Sequence, residues 1–477
     1  MVREQRGEER MAENDIALMA HLMRRAGFGA QYGELEERAS KGYEATVEEL
    51  LHPEDHSNGM DLDLAERYFI EWNHFIRCVP EYIAFRMINS KSQLEEKMIL
   101  FWHGILCTAD SKTQSQVSSH AEWEMLRRCC MGSFKDLLIE ISKDPAMVYF
   151  LDNCLSHKDA INENYGRELL ELFSLGVGMD GNFNYTEDDV KECARAFTGW
   201  TITNGIPTQP YGRYTSTFVY NPDDHDEGEK TFLGHTGNFN GEDIIEIICQ
   251  QPATARFLAR HIYDYFVADE AQVPTWMDTP PRDPDTINML EDEYFRSDYN
   301  IRSMLRVLFN SDAFKNARFA RIKGPIETVI GTLRLAGDWT TPKPGFEAIF
   351  EEMKQMGQEI LNPPSVEGWH TGRDWIDGGT LVRRINFIAD YVGDVSYPGI
   401  QDMVKNLASE GPIISPEGLV DGCLRLLGHY ELTDENHQML VEHAQKSGVS
   451  ATDAPEFPGH VSEMLQMIVA TKEYLYA

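Results

Sequence analysis

No stretch of this 477-residue chain approaches the roughly 18 consecutive apolar residues of a membrane span. Its first residues, MVREQRGEERMAENDIALMAHLMRRAGFG, are charged and lack the apolar core of about 7–15 residues that marks a signal peptide. As given, the sequence reads as soluble and cytoplasmic; export is the reading if a leader was removed. Any C-x-x-C pair is also missing from the eight cysteines, so zinc-ribbon and thioredoxin-like readings lack their motif. A chain of this size needs no disulfide staples, and reduced thiols are expected. Basic residues are scarce: 43 Lys and Arg stand against 78 Asp and Glu, a formal charge of −35. Such a field repels nucleic acid and anionic membranes, so neither is an expected partner. A solvated acidic coat or an attraction for cations is what it leaves. There is no G-x-S-x-G elbow, P-loop, H-E-x-x-H helix or strand–GxGxxG–helix unit, and no repeat of fixed period.

What is present is an ordinary globular composition, 42% hydrophobic and 25% charged, organised around residues 162–201. Tyr165, Leu169, Leu172, Phe173 and Gly176 fall on one stripe of a 3.6-residue period, which predicts a helix. Asn164, Glu168 and Glu171 share a neighbouring face, and Arg167 stands four residues before Glu171, the spacing of an intrahelical ion pair. Gly176 and Gly178 end that helix. Thr186 then caps a second helix, with Asp189 in the capping-box position.

NENYGRELLELFSLGV followed by YTEDDVKECARAFTGWT resembles the signature of the bacterial DUF 1800 family, whose name records an unknown function. RRAGFG, EEKMILFWHG, HDEGEKTFLG and LNPPSVEGWHTGRDWI resemble further elements of the same family, in the same order. Relatives commonly carry a second histidine after the F-W-H; here Ile105 stands there. The resemblance covers about residues 15–390 and the remainder loosely. It also implies a partner, a sulfatase-like DUF 1501 protein, since the two are often encoded side by side.

Taken in order, the chain reads as helices at 15–25, 34–40, 43–51, 64–77, 81–107, 118–141 and 145–151. After the central pair, residues 201–240 alternate Thr, Tyr, Val and Phe with turn formers, as a β-hairpin or a pair of short strands would. Helices follow at 242–248 and 252–267, then an acidic, proline-containing connector at 268–284 expected to be a mobile surface loop. More helices come at 285–296, 300–310, 323–336 and 381–392, and three in the tail with capping signals at Ser415, Thr433 and Ser462. The expected fold is mainly α: a single multi-helical domain over residues 15–390 with a small β-hairpin insertion near 201–235, and a helical extension, 391–477, packing on it.

The polar motifs lie between well-patterned helices, so their convergence would make one cleft. Catalytic candidates are His103, Glu168, Glu171, His225 and Asp226; candidates to bind substrate are Asn162, Arg167, Lys230, Trp369 and His370. Glu168 and Glu171 with His225 would make a carboxylate–imidazole site suited to several divalent metals, although the E-x-x-H of di-iron bundles is missing. The alternative is a structural ion-pair network of Glu168, Glu171, Arg167 and Arg195. His103 alone reads more simply as a hydrogen-bonded core histidine than as a ligand or catalyst. RRAGFG reads as a helix terminus or, less simply, as a phosphate-cradling loop. Cys154 and Cys193 would be nucleophiles only in a thiolate-stabilising setting. Function therefore reads as a metal-assisted or acid–base enzyme of unknown substrate, or else a non-catalytic scaffold acting with the sulfatase-like partner.

Overall fold

Twenty-four α-helices account for most of the described residues, and the strands among them are only two or three residues long. The computed structural model describes residues 2–71, 78–179, 181–206, 215–447 and 450–477. The fold is mainly α with small β-hairpins, as the periodicity predicts.

Local chemistry sets many boundaries. Thr186 accepts from the Asp189 N–H while the Asp189 carboxylate accepts from the Thr186 N–H, closing the expected capping box on Glu187–Ala196. Asn240 and Asp243 do the same for Gly241–Cys249. The expected 81–107 helix is two, Cys78–Asn89 and Gln93–Ile105. They part at Ser90–Lys91–Ser92, where the Ser90 hydroxyl accepts from the Ser92 N–H and competes with the helical ladder. The expected 118–141 helix likewise divides into Gln116–Cys129 and Phe134–Lys143, with Gly132 in the break. Of the expected 64–77 helix, Leu62–Glu66 is α and Arg67–Glu71 a single π turn; residues 72–77 lie outside those described.

The β insertion is two pairs rather than one. Trp200–Ile202 pairs antiparallel with Phe218–Tyr220, and Lys230–Phe232 with His235–Gly237. A further pair, Gly178–Met179 with Asn182–Phe183, sits in the turn between the two central helices. The 268–284 connector carries its own contacts: Glu270 is paired with Arg260 at 2.7 Å, and buried Trp276 donates to the Ala271 carbonyl at 2.6 Å.

The tail holds four helices rather than three: Pro398–Ser409, Pro416–Leu426, Asp434–Ser447 and Phe457–Val469. Ser415 caps its helix as expected; Ser462 lies inside one. Three helices that the sequence pattern did not announce are Asp110–Thr113, Asp312–Asn316 and Phe346–Gln355.

The core is one contiguous apolar cluster in which Trp102, Phe134, Tyr294, Phe266 and Phe309 are wholly buried. Each such side chain contributes roughly 1.5–3 kcal/mol of burial. Trp102 satisfies its only donor on the Cys130 carbonyl at 2.8 Å. All eight cysteines are free, and no described helix is long and apolar enough to cross a membrane.

Candidate functional site

The last turn of Gln93–Ile105 carries His103, and the LNPPSVEGWH loop is fastened onto the end of that helix. Gly368, at φ +88°, makes the fastening possible, because a Cβ there would lie 2.1 Å from the Gly104 carbonyl oxygen. The Cys107 thiol donates to the Val366 carbonyl at 2.9 Å, the Asp110 N–H to the Leu361 carbonyl at 2.9 Å, and the Ser111 N–H to the Asn362 side chain at 3.2 Å. This brings Trp369 edge-on to the His103 ring at 5.3 Å, with Trp123 at 5.3 Å on another side.

His103 and Glu122 are 1% and 2% exposed, and Nδ1 stands 3.7 Å from Oε1. Burial lowers His103 to about 3 and raises Glu122 to about 8. At neutral pH this is a neutral imidazole beside a protonated carboxyl, not an ion pair. Thr108 donates to the other Glu122 oxygen at 2.8 Å. Asp144, buried nearby, is also raised, first by desolvation and then by Glu122. Among the described residues both His103 nitrogens and the indole N–H groups of Trp123 and Trp369 are buried without a hydrogen-bond partner. Buried orphans of this kind are rare in proteins and call for an explanation.

Glu168 belongs to the same neighbourhood. Glu122 and Glu168 both act electrostatically on Cys107, whose thiol burial pushes up to about 12. The Asn164–Glu171 helix that carries Glu168 lies close against Glu187–Ala196, because at Gly166 a Cβ would meet the Ala194 nitrogen at 3.0 Å. Glu168 is half-buried, and desolvation, then Glu171, raises it to about 7, with Glu367 adding to the rise and Arg167 opposing it. Tyr185 donates to Glu171 at 3.3 Å. Among the described residues the expected Arg167–Glu171 pair is not formed. Arg167 instead forks onto Glu187 at 2.9 and 2.8 Å and reaches back to Glu163, because the capped first turn of the next helix offers it a bidentate carboxylate. Arg195 is committed to Asp226 and Glu192. The ion-pair network of Glu168, Glu171, Arg167 and Arg195 is therefore not assembled.

The 221–230 loop forms a separate group. Asp226 takes Arg195 bidentately at 2.7 and 3.1 Å and the Gly228 N–H at 2.8 Å; the guanidinium holds its carboxyl down at about 2. Lys230, 1% exposed, donates to the Asp226 and Gly228 carbonyls and ties the loop to itself. His225 faces the Thr198 carbonyl at 2.9 Å and the Tyr220 ring at 5.7 Å. Asn162 accepts from the Asn164 N–H at the start of the central helix, and His370 is exposed beside Trp369.

His103 thus stands against Trp369, and Glu168 lies within electrostatic reach of Glu171, Glu367 and Cys107, whereas Asp226 and Lys230 gather near Arg195 and His225 faces Thr198. As a correction to the expected metal set, Glu168, Glu171 and His225 do not converge, and no group of three His, Cys, Asp or Glu side chains is placed to hold a metal among the described residues. Glu122, Trp123, Asp144 and Glu367 were not expected in the site. A glutamate beside Trp123 and three residues before Met125, on the apolar side of its helix, is the signal that could have marked Glu122.

A family model described as protein of unknown function (DUF1800) matches residues 21–476, nearly the whole chain, and the chain belongs to that family. No curated protein and no solved structure matches it.

Proposed function

We propose that this DUF1800 chain is an acid–base enzyme whose working carboxyl is Glu168, with the His103–Trp369 wall beside it. One observation carries the reading. Glu168 is a half-buried carboxyl that no arginine or lysine pairs with among the described residues, and its environment raises it to about 7. A group balanced at the operating pH can both take and give a proton. Asp226, held at about 2 by Arg195, is fixed as an ion and serves the loop instead. Glu122 supports the site as a buried neutral acid that leaves Glu168 the exchangeable proton. The test is turnover of a panel of esters, glycosides and phosphate monoesters by the wild type and Glu168→Gln, with circular dichroism as the check on folding. Activity in the wild type that the folded variant lacks supports the reading; equal activity in the two contradicts it.

A second reading, partner binding, has its own observation. Leu155, Ile161 and Phe183 are 60%, 42% and 75% exposed and bracket the central helix in the chain. Exposed apolar side chains flanking one helix in the chain are what a protein-binding surface would use. The sulfatase-like protein that the family resemblance implies is the partner to try. Loss of co-elution with it in Phe183→Ser, but not in Glu168→Gln, would favour this reading.

A further inference from the structure

Away from that site, the N-terminal helix, the Pro325–Ala336 helix and the tail enclose a pocket of about 60 Å³. A water needs ~10–15 Å³ on this measure, so the space admits a few waters or one small polyatomic ion. Arg24, Lys323, Glu327, Tyr430 and Tyr474 supply its polar chemistry, with Phe28, Leu335 and Ile388 among its apolar walls.

The charges here do not balance. Arg24 gives one nitrogen to the Gly428 carbonyl and lies 4.9 Å from the centres of the Phe319 and Tyr430 rings. Its Nε and Nη2 are buried and have no partner among the described residues. The Lys323 ammonium donates to the Tyr430 hydroxyl at 2.9 Å and sits 3.9 Å from the centre of the Tyr474 ring. Neither cation is in an ion pair among the described residues. Glu327 cannot serve them, because Lys97, Arg321 and Arg25 already surround it and the Gly324 N–H donates to it. Glu431, another acidic neighbour of Arg24, is paired with Arg318. Arg384, wholly buried next to this cluster, gives Nη1 to the Lys323 carbonyl at 2.7 Å and leaves Nε and Nη2 without partners. Asp264 and Asp269 lie near Arg321, but burial raises both, Asp264 to about 6. Buried charge without a counter-charge is costly, and a chain of net charge −35 has no lack of acids to place here.

We propose that this pocket binds a small oxyanion, a carboxylate or a phosphate group, held by the free guanidinium edge of Arg24 and the ammonium of Lys323. Arginine presents parallel N–H donors to such a group, and the ammonium adds a compact positive charge beside them. The R-R-A-G-F-G stretch therefore meets its anion through a side chain. Its backbone ends the helix, the Gly29 N–H returning to the Met23 carbonyl at 2.9 Å. The aromatic walls suit a group that carries a short apolar stem.

The probes are inorganic phosphate and sodium acetate, added to the full chain at an ionic strength held constant with chloride, and read by calorimetric titration and thermal midpoint. Saturable binding of either supports the proposal: phosphate alone assigns a phosphate group, and acetate alone or both a carboxylate-sized oxyanion. Lys323→Met should weaken that binding about tenfold or more, the loss of one charge-assisted contact. Without anion it should not lower the thermal midpoint, since it removes an unpaired buried charge. No saturable response to either probe, or an undiminished one in folded Lys323→Met, overturns the proposal. If that variant does not fold, the wild-type chain carries the test through its Tyr430 and Tyr474 ring resonances, which must shift saturably with phosphate or acetate; unmoved resonances overturn it.

Discussion

The Glu122 carboxyl shows how far burial alone can set a side chain's chemistry. It is raised to about 8, so between its ordinary 4.5 and 8 the folded chain holds a proton that the unfolded chain has released. Folding then costs more as pH rises through that window. Glu122→Gln keeps the shape and the acceptor for Thr108 without that cost. The stability of Glu122→Gln relative to the wild type should therefore grow from pH 5 to pH 8 and level off above, as urea denaturation at pH 5, 7 and 9 can show. A difference that does not grow with pH would mean that Glu122 is ionised in the fold. Glu168 is the contrasting case. It is open enough to exchange its proton, while partial burial and then Glu171 favour keeping it.

At the scale of elements, the site depends on one loop lying flat on one helix end. Gly368→Ala forces a positive φ on a residue with a Cβ and drives that atom into the Gly104 carbonyl, so it should cost on the order of 2–4 kcal/mol in denaturant unfolding. A loss below about 0.5 kcal/mol, the usual effect of a neutral surface change, would show that the loop yields. Thr186→Ala should cost about 1 kcal/mol through the capping box. That box was readable in the sequence because it is made within four residues, and the same holds for most helices. The breaks at Ser90–Ser92 and around Gly132 were not, because a single turn hardly disturbs an amphipathic period. Nor was the place of Glu122 beside His103, which a separate helix supplies, although His103 and Trp369 were expected to meet and do. His225, Asp226 and Lys230 drew attention as polar residues crowded on a loop. Two of them prove to be what the loop is built with, Asp226 through Arg195 and Lys230 through backbone carbonyls.

Across the whole molecule, buried titratable groups set opposing trends. His21, His103 and His261 are lowered to about 3 and His429 to about 4, so below 6.5 they favour the unfolded chain, which can protonate them. Glu122, Glu168 and Asp264, raised to about 8, 7 and 6, push the other way over much of that range. Above 6.5 only the glutamates of this set still titrate, the folded chain holding the extra protons, so stability falls. The thermal midpoint by scanning calorimetry should be nearly flat between pH 4.5 and 6.5 and decline toward pH 8. A midpoint that climbs from 6.5 to 8 would contradict this balance. The charge of −35 adds repulsion that salt screens, so the midpoint at pH 8 should also rise from low salt to about 0.15 M.

The claim that organises all three scales is that Glu168 is an unpaired carboxyl balanced near neutrality. Carbon-13 NMR titration of the glutamate side-chain carboxyls, with Glu168→Gln to assign the resonance, addresses it directly. A midpoint near 7 is the predicted result. A midpoint at the ordinary 4.5 would leave Glu168 a plain surface carboxylate and remove the acid–base reading.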